Sequence, residues 1–173
     1  MAVDPTVAAD SVEPYDQLNC THTALRQASR QLTQIYDDAI APSGLTSAQA
    51  MVVSRIDELG GAPSGKGPSL QTLARRLSIQ ISALTHALKP LVRDGVVEIH
   101  ADADDRRTKR AVLTPQGMKQ TQQMYTLWTT VNARMDAALG EGTAQELRAL
   151  SRRVASPEFL AAMTSSNEDR PGS

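Results

Sequence analysis

The sequence predicts a mainly α-helical protein carrying one small β-hairpin. Three observations lead there. Apolar residues recur at three- and four-residue intervals over most of the chain. Helix-start signals punctuate it, at Pro14, Thr46–Gln49, Thr114–Pro115 and Pro157. Only residues 96–113 contain two short β-prone runs around a polar turn.

Taken in order, residues 1–13 have no apolar period and read as a disordered arm. The first sixteen residues hold Asp4, Asp10, Glu13 and Asp16 with no base. Pro14 opens a long helix, because a missing N–H costs nothing in a first turn. Leu18, Leu25, Ala28, Leu32, Ile35 and Ala39 give it one apolar stripe, and residues 42–45 break it. Thr46 and Gln49 fit a capping box for a second helix, stopped by Gly60-Gly61. The Gly/Pro/Ser-rich residues 60–69 read as a flexible connection. A short helix at about 70–77, a turn at 78–80 and a helix to Asp94 follow, with Gly95 as its stop.

Val96–His100 and Lys109–Leu113 are then the two strands of a hairpin. Thr114 caps and Pro115 starts a helix to about Leu139, whose stripe is Met118, Tyr125, Trp128, Val131, Met135 and Leu139. Gly140 and Gly142 end it, and Thr143 with Glu146 fits a further capping box. Leu147, Leu150 and Val154 line that helix, Pro157 begins a short last one, and a disordered tail starts at 164. The order is that of a winged helix-turn-helix at about 46–114. N- and C-terminal dimerisation helices flank it at about 14–41 and 115–163, within a single domain of residues 14–163. The outer helices have apolar stripes that the central lobe does not need, so a homodimer is expected to cover them.

With 173 residues and 40% apolar content, the chain has ample material for one core. No run approaches the roughly 18 apolar residues of a membrane span, and no signal-peptide pattern opens the chain, so a cytoplasmic setting is expected. A single cysteine, Cys20, permits no internal disulfide. Neither a nucleophile–base pair nor a metal cluster is visible, so no enzyme, cofactor or metal is expected. His22, His86 and His100 lack zinc-ligand spacing. Asp102-Ala-Asp104-Asp105 lacks the Gly and closing Glu of a calcium loop. Gly60 to Gly67 falls short of a P-loop, lacking the final hydroxyl and following a helix.

Charge carries the functional signal. The formal net charge is only −1, yet no carboxylate lies between Leu59 and Arg93. Residues 59–110 hold nine lysines and arginines against five carboxylates. Such a surface suits a polyanion. In the helix ending at Asp94, Ser82, Thr85, His86 and Lys89 share one face, while Ile81, Leu84, Leu88 and Leu91 share the face toward the core. The polar face, with Gln80 at its N-terminus, suits major-groove readout of double-stranded DNA. Arginines on the narrow hairpin tip, Arg106 and Arg107, are of a kind that enters a minor groove. Asp105 is placed to hold the Arg107 guanidinium in a bidentate pair. Arg75, Arg76, Arg106, Lys109 and Arg110 are candidates for phosphates.

Residues 104–117 (Asp-Asp-Arg-Arg-Thr-Lys-Arg-Ala-Val-Leu-Thr-Pro-Gln-Gly) resemble the wing and following helix of the MarR family of transcription regulators. Residues 82–97 resemble that family's recognition helix and first wing strand, and the likeness extends over about 17–160. Asp105 and Arg107 match the family's Asp-x-Arg wing motif; Pro90 departs from a uniform recognition helix. The resemblance implies a homodimeric regulator, usually a repressor, on a pseudo-palindromic operator. Release comes through a small molecule, often a phenolic or other aromatic acid, or through oxidation. His22, Arg26, Tyr36, Ser47 and Arg55 are the candidate effector residues. The family's hydroperoxide sensors carry a reactive Cys near the start of the first helix, with tyrosines nearby. Here His22 falls at that position, Tyr36 matches one tyrosine, and Ser47 stands at the other. Cys20 is therefore either a displaced redox thiol or a small apolar interface residue. A reading from another class also stays open: a helical protein-interaction module whose basic loop meets acidic partners.

Overall fold

The computed structural model describes residues 20–165. Its elements are α1 (Thr21–Ile40), α2 (Ser47–Glu58), α3 (Leu70–Leu77), α4 (Ile81–Arg93), β1 (Val97–Ala101), β2 (Lys109–Leu113), α5 (Pro115–Leu139), α6 (Glu141–Val154) and α7 (Pro157–Ser165), with a 3₁₀ turn at Ala41–Ser43. The mainly helical fold with one hairpin is as the sequence predicts. The expected helix start at Pro14, the acidic arm and most of the tail lie outside the described residues. Thr164 and Ser165, expected in the tail, belong to α7, where Thr164 donates to the Leu160 carbonyl.

Two compact units divide the chain, one ending at Ile35 and one beginning at Tyr36. In the first, α1 is exposed at Leu25 and half-buried at Leu32 and Ile35. The second unit carries the core. Val53 and Ile56 of α2, Leu73 of α3, Leu84, Leu88 and Leu91 of α4, Val97 of β1, Leu113 of β2 and Met124 of α5 all sit in one buried cluster. β1 and β2 pair antiparallel, Val97 opposite Leu113 and Ala101 opposite Lys109.

Local chemistry explains the boundaries. Thr46 and Gln49 form the reciprocal capping box, and Thr114 accepts from the Gly117 N–H at 2.9 Å. Gly117 is obligatory for another reason: a Cβ there would lie 2.0 Å from the Val96 carbonyl oxygen. The second predicted capping box does not form. Gly140 adopts φ +79° and its carbonyl accepts from the Ala144 N–H, so α6 starts earlier and Thr143 falls inside its first turn. The buried face of α5 also differs. Gly117, Thr121, Met124 and Val131 are buried, whereas Tyr125 and Leu139 are exposed. Tyr125 keeps its hydroxyl outside, donating to Asp57.

Residues 60–69 are no loose connection. The Leu113 N–H donates to the Gly61 carbonyl and the Ala111 N–H to that of Pro68. Gly67 and Pro68 are buried. The segment satisfies the outer edge of β2, which a two-stranded hairpin would otherwise leave unpaired. Gly67 permits the approach with φ +66°; a Cβ there would meet the Ala111 oxygen at 2.2 Å.

Candidate nucleic-acid interface

α3 and α4 are joined by the left-handed Ser78 (φ +54°), which turns one helix onto the other. Ser69 caps α3 through the Thr72 N–H. Leu84, Leu88 and Leu91 seat α4 on the core, which leaves Gln80, Ser82, Thr85, His86 and Lys89 together on the exposed side. Ile81 departs from its expected place on the core face. It is 46% exposed, because the first turn of α4 projects beyond what the core covers. Thr85 also offers less than a free hydroxyl, since its Oγ1 donates to the Ile81 carbonyl at 2.8 Å.

The wing is organised differently from expectation. Asp105 makes no pair with the Arg107 guanidinium. Its Oδ1 accepts from the Arg107 backbone N–H at 3.0 Å and its Oδ2 from the Thr108 hydroxyl at 2.9 Å. A short Asp side chain two residues upstream reaches the backbone more readily than a distal guanidinium. Asp105 thus shapes the tip, and Arg106 and Arg107 project from it exposed.

Arg110 is likewise no free cation. Its Nε donates to Asp102 Oδ2 and its Nη1 to the Gly67 carbonyl at 2.7 Å, and its side chain is only 22% exposed. Asp102, 4% exposed, also accepts at Oδ1 from the backbone N–H groups of Asp104 and Asp105. Arg110 above all, then those N–H groups, hold the Asp102 carboxyl far below the usual carboxylate range. Lys66 closes the network, 2.8 Å from Asp104 and 3.5 Å from Asp102. Asp102, in a segment that falls short of a calcium loop, is the residue that ties the wing base to residues 66–67 through Arg110 and Lys66. Arg93 is paired too, with Asp94 at 2.7 Å. Among the described residues no ion pair involves Arg75, Arg76, Arg106, Arg107 or Lys109, and all five are exposed.

This arrangement of helix pair and hairpin has close counterparts. The sequence model of the MarR family matches residues 45–109. A crystal structure of the transcriptional regulator MosR from M. tuberculosis in complex with DNA is 32% identical, with a TM-score of 0.64 over 79% of this chain and 96% of that one. The chain belongs to the MarR family. It is a DNA-binding transcription regulator of that family. Two further structures share the fold at lower identity. A mutant of E. coli MarR with operator DNA is 22% identical, with a TM-score of 0.68 over 77% of this chain and 91% of that one. BpsR of Bordetella bronchiseptica, described with regulation of its DNA binding by 6-hydroxynicotinic acid, is 21% identical, with a TM-score of 0.70 over 82% and 97%. No curated protein matches the chain in sequence. Among the described residues no helix is long and apolar enough to cross a membrane.

The effector candidates of this MarR-family chain are divided between its two units. His22 and Arg26 share a face of α1 in the first unit. In the second, Tyr36 donates to Asn132 Oδ1 at 2.5 Å and packs its ring 4.8 Å from that of Trp128. The Ser47 N–H is held by Asp37 at 2.5 Å. Arg55 alone of the five lines a cleft of about 360 Å³ between α2 and α5, with Met51, Glu58, Met124, Tyr125 and Trp128. Arg55 pairs there with Glu58. Burial, then the charge of Asp57, pushes the Tyr125 hydroxyl up to about 12, so it stays protonated. Helical spacing placed Tyr125 and Trp128 on one stripe, but not against α2.

Proposed function

We propose that the chain is a homodimeric repressor of a pseudo-palindromic operator of roughly 15 to 25 base pairs. Gln80, Ser82, Thr85, His86 and Lys89 face the major groove. Arg107, on a tip shaped by Asp105, enters the minor groove, and Arg75, Arg76, Arg106 and Lys109 meet phosphates. Arg110 is withdrawn from that set. The carrying observation is the set of exposed cations on α3 and the wing that have no ion-pair partner among the described residues, together with an α4 that carries no carboxylate. The DNA complexes of MosR and E. coli MarR support the polyanion being a duplex. The exposed apolar side chains of α6 and α7, Leu147, Leu150, Val154, Phe159, Leu160 and Met163, are surface for a second copy to cover.

Arg107→Ala is expected to weaken binding to the protein's own upstream region by about 1–3 kcal/mol, most where flanks are A·T-rich. Gel-shift titration reads it; unchanged affinity removes the wing tip from recognition.

Release by a small aromatic or phenolic acid fits the α2/α5 cleft, where Trp128 and Tyr125 supply ring surface and Arg55 a cation. The regulation of BpsR by 6-hydroxynicotinic acid supports that chemical class. A second reading, release by oxidation, has its own observation. Cys20 immediately precedes α1, and hydrogen bonds from the Thr23 N–H and hydroxyl, with the His22 N–H, lower its thiol. In that reading the thiolate attacks a peroxide oxygen, the O–O bond breaks, hydroxide leaves and a sulfenic acid remains. Peroxide should then lower operator affinity about tenfold or more, and Cys20→Ser should abolish the response. An equal response in the serine variant excludes Cys20.

A further inference from the structure

We propose that the first turn of α4 reads thymine methyl groups through Ile81, assisted by Thr85, a specificity that rests on the DNA-binding reading above. Ile81 is in line with Leu84, Leu88 and Leu91, which are at most 1% exposed, yet it stands 46% exposed. Ile79, in the turn just before, is 38% exposed. The two isoleucines bracket Gln80, the N-cap, whose side chain makes no capping hydrogen bond. No acidic residue stabilises the first turn either. The start of α4 therefore forgoes both usual stabilisers of a helix N-terminus and instead presents apolar surface to solvent.

Thr85 extends that surface. Its hydroxyl proton is committed to the Ile81 carbonyl, so towards a base edge it offers a methyl group and a lone pair. In a major groove only thymine among the four bases presents a methyl group, and aliphatic contact is how it is read. Gln80 alongside suits the N6/N7 edge of adenine. An isoleucine, a threonine methyl and a glutamine at one helix end together select a step containing A·T pairs. Ser82 beside Ile81, and His86 and Lys89 farther along α4, are left for polar edges and phosphates.

The test replaces thymine by uracil, which removes one methyl and leaves every hydrogen bond of the pair intact. Each thymine of the footprinted upstream site is exchanged singly, and affinity is measured for the full chain and for Ile81→Ala. At one or two positions in each half-site, uracil should weaken wild-type binding about three- to fivefold, the worth of one buried methyl. Ile81→Ala should bind the thymine and uracil duplexes equally. Undiminished discrimination by Ile81→Ala, or no thymine sensitive to the exchange, overturns the proposal while leaving DNA binding intact. Failure to bind any duplex overturns both readings. A change of the variant's oligomeric state on gel filtration also overturns it, assigning Ile81 to a protein interface.

Discussion

Raising the salt from about 50 to about 200 mM is expected to weaken operator binding on the order of 10³- to 10⁵-fold. Arg75, Arg76, Arg106 and Lys109 are exposed and have no ion-pair partner among the described residues; as the proposed phosphate contacts they would number four per chain and eight per dimer. Each neutralised phosphate releases condensed counterions, so the logarithm of affinity should fall against that of salt with a slope of about −7. Fluorescence anisotropy over a salt series measures it. The same series separates roles within the wing. Lys109→Ala should make the slope shallower by about two, as loss of one phosphate contact from each chain of the dimer requires. Arg110→Gln should lower affinity with the slope unchanged, because Arg110 is engaged by Asp102 and Gly67. A slope near zero would refute the electrostatic interface, and a shallower slope for Arg110→Gln would return Arg110 to it.

Leu88→Ala should cost about 2–5 kcal/mol of folding stability, the largest single effect foreseen on the fold. Leu88 is 1% exposed and sits between Leu84 and Leu91 in the row that fastens α4 to the common cluster. Truncation removes the transfer energy of the lost carbons and leaves a void that surrounding helices close only in part. Urea denaturation followed by circular dichroism gives the value. The neighbouring Lys89→Ala provides the contrast. Lys89 is exposed, so stability should shift by no more than about 0.5 kcal/mol while operator affinity falls. A loss below about 1 kcal/mol for Leu88→Ala would mean that α4 is not seated as described.

The helical layout was legible wherever its cause is local. Thr46 with Gln49, and Thr114 with Pro115, are signals between near neighbours, and both helix starts form as read. The start of α3 follows similarly from Ser69, and Gly95 follows the end of α4 as a helix stop. The pattern was less reliable at Thr143, where Gly140 offered an earlier start, and on α5, where two overlapping stripes left the choice of buried face to packing. Of the candidate interface, the exposed face of α4 and the cations of α3 and the wing tip were readable from periodicity and from missing carboxylates. The roles of Asp105, Arg110 and Ile81 were not.

What the chain's order of residues settled alone was its helices, its hairpin and the segregation of positive charge, since capping, turns and periodicity act between near neighbours. Tertiary structure decided which charges remain available and which apolar residues stay outside. Arg110 is removed from the surface by a carbonyl forty-three positions away and by a nearly buried carboxylate. Residues 60–69 become an edge of the hairpin because β2 needs partners there. Ile81 is exposed because the core ends before the helix does. Each outcome depends on burial and hydrogen bonds between distant segments, which no local pattern encodes.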